Sequence, residues 1–147
     1  DLEMLEKMVK SDKRLVDEKE ELEEYIEELS SRIMPNVSAV LGEVLAARVL
    51  SHAGSLKKLA RMPSSTVQVL GAEKALFRHM RGEGSAPKHG VLFLHNTVSG
   101  LPEENRGKMA RYLANKTSLA ARLDMYYGEF KGDEYRKQVE KKYREMK

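Results

Sequence analysis

The run Gly71-Ala72-Glu73-Lys74-Ala75-Leu76-Phe77-Arg78 holds the residues best suited to chemistry. A helix opening near Gly71 and running to about Arg81 puts Lys74 in its first turn, where free backbone N–H groups already act as a partial positive charge. A cation there makes sense beside a bound anion, and phosphate is the usual guest. Arg78 lies four residues on, along the same face. Further cations stand at Lys88, Arg106, Lys108, Arg111 and Lys116, and His89 lies in a basic loop. A helix starting at Pro102 and running to about Asn115 puts Lys108, Arg111 and Asn115 on one face and Met109, Ala110 and Leu113 on another. The chemistry this set offers is neutralisation of a polyanion, not bond making.

Catalytic patterns are missing. The four histidines, His52, His79, His89 and His95, show no H-E-x-x-H spacing, and neither a G-x-S-x-G elbow nor a G-x-x-x-x-G-K-[ST] loop occurs. The chain has no Cys, which excludes a disulfide scaffold and thiolate metal sites. No catalytic residue, metal or cofactor is assigned, and the expectation is a non-enzyme. His52, near the end of an apolar helix, reads as a structural group. No apolar run approaches the ~20 residues of a membrane span, so no membrane partner is expected. The first residues, Asp1-Leu2-Glu3-Met4, lack the basic flank of a signal peptide, and the missing initiator Met reads as a fragment or processed chain.

Two elements of opposite charge must position these groups. Residues 1–33 hold 6 Lys/Arg and 12 Asp/Glu, whereas residues 48–122 hold 13 and 4. The first segment has no Gly or Pro and reads as helix, either one helix with a defect at Ser11-Asp12 or a short helix followed by a long one. Leu15, Leu22 and Leu29 recur every seven residues, with Ile26 and Ile33 four after the last two, a narrow seam typical of a coiled-coil arm. Such a stripe needs a partner, another chain or a copy of itself, with packing on its own domain as the alternative. Met34-Pro35 ends the arm.

Ser38 is expected to cap a helix that runs to Gly54, with Val40, Leu41, Val44, Leu45, Val49 and Leu50 on its apolar face. Leu56 to Met62 reads as a short helix closed by Pro63. The β-branched stretch from Ser64 to Leu70 reads as extended, with a capped helix start at Ser64 or Ser65 as the alternative. Val91 to Leu94 reads as strand-like. Leu119, Ala120, Leu123 and Tyr126 suggest a further helix closed by Gly128, and Tyr135, Val139 and Tyr143 stripe a last one. Helical patterns dominate, so the fold is expected to be all-α. The division is an arm over 1–33, a core over 34–128 and a C-terminal helix over 129–147.

Gly71 to Arg78 resembles the Nop domain family. Ala53-Gly54-Ser55-Leu56, Leu59-Ala60 and Pro63-Ser64-Ser65-Thr66-Val67-Gln68-Val69-Leu70 lead into it in the family's manner. Pro87-Lys88-His89-Gly90, Arg106-Gly107-Lys108-Met109-Ala110-Arg111 and Lys116 through Ala120-Ala121-Arg122-Leu123-Asp124 follow in the family's order. The coverage is about residues 35–128, and the arm resembles part of the coiled coil that precedes this domain. The resemblance is closer to the archaeal and nucleolar branch than to the spliceosomal one. It implies an RNA-binding scaffold of box C/D ribonucleoproteins that docks on a kink-turn of the guide RNA together with a bound ribosomal-protein-like partner, in support of 2′-O-methylation by fibrillarin. Fibrillarin itself would be held only through an N-terminal domain that these residues do not include. Lys74, Arg78, Lys88, His89, Arg106, Lys108, Arg111 and Lys116 are then the expected RNA contacts. Ala75, Leu76 and Phe77 are expected to pack on an RNA end or a partner, with a core role as the alternative for Leu76 and Phe77. The location would be cytoplasmic in an archaeon and nucleolar in a eukaryote. A coiled-coil interaction scaffold without direct RNA binding and a spliceosomal relative are the rival readings.

Overall fold

In the computed structural model, which describes residues 1–147, the acidic segment forms one unbroken helix, α1 (Leu2–Ile33). Ser11 and Asp12 lie inside it and start no second helix. At 1.5 Å per residue it is about 48 Å long. Residues 1–28 are exposed on every face, including Leu15 and Leu22 at 61%. Only the last turn packs on the rest of the chain, where α1 meets α2 (Pro35–Leu41) and α3 (Glu43–Ala53). The seam of Leu15, Leu22 and Ile26 is therefore open along the arm.

The expected helix over 38–54 is two helices. Pro35 opens α2 as its first residue, so Ser38 sits in its middle and caps nothing. Gly42, with φ +83, bends the chain between α2 and α3. The N-terminus of α2 is satisfied from far along the chain. The Asp124 carboxylate accepts the backbone N–H of Asn36 at 2.9 Å and of Val37 at 3.0 Å, and the Asn36 side-chain amide at 2.8 Å. That amide also donates to the Glu129 carbonyl, and Asn36 Oδ1 accepts the Lys131 N–H at 2.7 Å. Asp124 therefore does not pair with Arg122, whose Nε faces the Ala60 carbonyl.

Short helices follow: α4 (Leu56–Arg61), α5 (Ser64–Gln68) and α6 (Glu73–Met80). The β-branched stretch 66–69 is thus helix over most of its length, because Pro63 presets its start. Val91–Leu94 is a 3-10 turn and not a strand, and α7 (Asn96–Ser99) comes directly after it. The helix expected to stop at Asn115 continues as α8 (Glu103–Arg122). Its polar middle is absorbed locally: Thr117 Oγ1 donates to the Leu113 carbonyl at 2.8 Å and Ser118 Oγ to the Met62 carbonyl at 3.3 Å. A π-helical turn over Leu123–Tyr127 extends it to Gly128. The last helix, α9 (Gly132–Met146), packs on α2 and α8 through Val139, flanked by Tyr135 and Tyr143.

The architecture is all-α, with no strand. A single core runs between α2, α3, α5 and α8, with Met34, Val37, Val49, Leu59, Val67, Leu92, Met109 and Leu113 almost wholly buried. At ~25 cal/mol per Å2 each such side chain stabilises the fold by roughly 1.5–3 kcal/mol. This core presents the outer face of α8 rigidly to solvent.

Candidate nucleic-acid interface

The amphipathic split of α8 sets the site. Met109, Ala110, Leu113 and Ala114 are buried, which turns Lys108, Arg111 and Asn115 outward. Against this face lie the first turn of α5 and the loop 86–88. Together they form a groove of about 630 Å3 whose cations are Lys88, Lys108 and Arg111, with Ser64, Ser65 and Gln68 as neutral polar groups. A second groove of about 320 Å3 shares Ser64, Lys108 and Arg111 and continues to Tyr112, Asn115 and Lys142. No carboxylate lines either one. Three other grooves, of about 640, 430 and 270 Å3, each contain a glutamate: Glu43 and Glu140, Glu43, and Glu145. Cations that gather without a counter-charge, beside neutral donors, form an anion-binding surface.

Lys88 is placed with some care. Gln68 Nε2 donates to its carbonyl at 2.7 Å and reaches the Gly107 carbonyl at 3.5 Å. The Gly90 N–H donates back to the Gln68 carbonyl at 3.1 Å. Gly107 supplies the shelf: a Cβ there would lie 3.3 Å from Lys88 Cβ and 3.5 Å from its Cδ. Sequence reasoning named Lys88 but not Gln68, Ser64 or Lys142. Gln68 stands in a stretch already matched to the family, which is the one signal that pointed to it.

Other expected contacts are spoken for or lie elsewhere. Arg106 Nε donates to the Leu101 carbonyl at 2.9 Å, and its guanidinium lies 5.4 Å from the Phe93 ring centre. His89 stacks on the same ring at 4.8 Å. Lys116 is half-buried between Tyr112 at 5.5 Å and Tyr135 at 5.2 Å. None of these three groups lines either groove. His95, for its part, binds Thr97 Oγ1 through Nδ1 at 2.7 Å and caps α7, and burial pushes its pKa below the usual histidine range.

Lys74 and Arg78 are exposed on α6, enter no ion pair and line neither groove. No side chain caps α6, but the protein's own anion stands at its start. Glu73 Oε1 accepts the Gly71 N–H at 3.0 Å. That bond, a second one from its own N–H and the nearby charge of His52 hold the carboxyl below the usual range. His52 itself is exposed beside Gly71 and not packed away. No residue of α6 is buried: Phe77 is 58% and Met80 72% exposed, while Ala75 and Leu76 are half-buried. A core role for Phe77 is therefore ruled out.

With this geometry in view, comparisons with known proteins are informative. The family model described as "Nop: snoRNA binding domain, fibrillarin" matches residues 1–145. An uncharacterised NOP5 family protein of Methanocaldococcus jannaschii is 42% identical over 147 residues, spanning 100% of this chain and 35% of that protein. Nucleolar protein 56 of Caenorhabditis elegans is 43% identical, over 95% of this chain and 29% of its own length. A solved structure described as a fibrillarin/Nop5p complex superimposes with a TM-score of 0.78 at 35% identity, covering 97% of this chain and 53% of that one. The chain thus spans about a third of the length of the curated relatives it matches.

Proposed function

The chain belongs to the Nop family, and from that premise we propose that it is an RNA-binding assembly module of a box C/D ribonucleoprotein. It docks on kink-turn guide RNA together with the ribosomal-protein-like partner bound there. The particle so assembled supports 2′-O-methylation by fibrillarin, which is held elsewhere than on this surface. The acid-free groove of Lys88, Lys108 and Arg111 carries this reading.

The mechanism is electrostatic and geometric. A-form RNA hides its base edges in a deep groove, so recognition falls on backbone and shape. Three cations on a rigid wall release counterions as they meet phosphates, with a slope of roughly 0.7–0.9 in log affinity per contact per decade of salt. Three contacts amount to about a 20- to 40-fold loss between 50 and 200 mM salt. The exposed apolar residues of α6, Phe77 above all, suit stacking against an RNA end or a partner. A nucleolar location in a eukaryotic host fits relatives named nucleolar protein 56.

A gel shift with kink-turn RNA, with and without the kink-turn-binding partner, tests the reading. We expect a shift that depends on the RNA and strengthens with the partner. Equal affinity for duplex DNA, or no RNA-dependent shift in any context, refutes it. A second reading is favoured by the open seam of α1: Leu15, Leu22 and Ile26 are free to pair with another helix. This protein-interaction role accompanies RNA binding and does not require it.

A further inference from the structure

Resting on that reading, we propose that the RNA-binding surface does not end on α8. It crosses Tyr112 to α9, where Lys142, with Asn115 of α8 facing it, forms a second subsite for the phosphodiester backbone of the same RNA. The two grooves are continuous, since Ser64, Lys108 and Arg111 wall both. From Lys108 to Asn115 is seven residues of helix, about 10 Å, more than one phosphodiester spans. Beyond the reach of Lys88, the cation facing the open floor is Lys142. Its ammonium lies 5.8 Å from the Tyr112 ring centre, which holds the long stem against the wall and lowers the entropy lost on binding. Lys116 lies on the same ring but between two tyrosines and outside the groove. The exposed Asn115 amide adds a neutral donor that suits a phosphate or a 2′-hydroxyl. The track ends at Lys142 itself: Tyr112 and Lys142 also line the next groove along α9, together with Glu145, whose charge repels a polyanion from going further.

Lys142→Met keeps the stem on Tyr112 and removes only the charge. The 147-residue chain, with the kink-turn-binding partner, is titrated with a kink-turn RNA at several salt concentrations. Lys142→Met, Lys142→Arg and Lys108→Met are compared with the unaltered protein. We expect Lys142→Met to reduce the salt slope by about 0.7–0.9 and to weaken binding at about 0.15 M roughly four- to sixfold. Lys142→Arg should restore both, and thermal melting should show all variants folded. An unchanged slope for Lys142→Met with a reduced slope for Lys108→Met overturns the extension and leaves the main groove standing. Unchanged slopes for both overturn the RNA reading itself. Weakening of equal size at every salt concentration, seen only with the partner present, makes Lys142 a protein contact and also overturns the extension.

Discussion

Replacing Gly107 separates stability from binding. The position lies inside α8, where glycine costs roughly 0.5–1 kcal/mol relative to a good helix former. Gly107→Gln should therefore stabilise the helix. The new side chain also takes the shelf on which the Lys88 stem lies, because the nearest Lys88 carbons stand 3.3–3.6 Å from the added Cβ. The Lys88 backbone is held by Gln68 at 2.7 Å, so the loop gives by a few tenths of an ångström at the Lys88 Cβ while the exposed stem beyond it turns away. The expected result is a Tm raised by about 2–4 °C, while Lys88 no longer reaches its phosphate. Binding should then weaken about four- to sixfold at roughly 0.15 M salt, and the salt slope should fall by about 0.7–0.9. Calorimetry and a salt-dependent gel shift measure the two quantities. Lys88→Met should reproduce the weaker binding without the gain in Tm. An unchanged salt slope for Gly107→Gln would refute the shelf, and a fall in Tm would show that the loop backbone is displaced as well.

Asp124→Ala removes three hydrogen bonds to the start of α2, leaving the backbone N–H groups of Asn36 and Val37 and one N–H of the buried Asn36 side-chain amide without that partner. It should cost roughly 2–3 kcal/mol, seen as a Tm about 5–10 °C lower; a loss under about 0.5 kcal/mol would refute the long-range cap. His95 binds protons less readily folded than unfolded, because burial disfavours its charge. As pH falls below the ordinary histidine value of about 6.5 the unfolded chain takes up the proton first. Stability should therefore decline on acidification from about pH 7 towards 5, and His95→Gln should flatten that part of a denaturant-midpoint profile; identical profiles would count against it. Leu22→Glu, at a position 61% exposed, should change Tm negligibly while abolishing any helix pairing through the arm, read by analytical ultracentrifugation or crosslinking with an arm-binding partner. A Tm drop of several degrees would mean that the seam is covered by the chain itself.

Local periodicity made much of this structure legible. The arm, the stops at Gly54 and Pro63, the two faces of α8 and the stripe of α9 all follow from spacings within one helix. What could not be read depends on distant partners. Ser38 looks like a cap, but the capping oxygens for α2 come from Asp124, 88 positions from Asn36. Asn115 to Ser118 reads like a break, but the Leu113 and Met62 carbonyls absorb its hydroxyls. Three segments, 64–68, 86–88 and 107–111, meet to make the groove, and no periodicity within one of them predicts that meeting. Arg106 and Lys116 looked like any other cation until the rings of Phe93, Tyr112 and Tyr135 appeared beside them.

We propose the groove, rather than the tip of α6, as the fixed phosphate site because the two differ in competition. At the tip a phosphate meets the fixed charge of Glu73, which is covalently tethered, bonded to the Gly71 N–H and held below the usual carboxylate range by that bond. A tethered ligand competes at a high effective concentration. No carboxylate lines the groove of Lys88, Lys108 and Arg111, so there counterions and water are what a phosphate displaces. Releasing counterions favours binding. Lys74 and Arg78 then act chiefly through the field they add to the basic globule, which salt screens over about 8–10 Å. On the proposed reading, the acidic arm, with its excess of Asp and Glu, repels the same RNA and leaves the globule as the face to meet it.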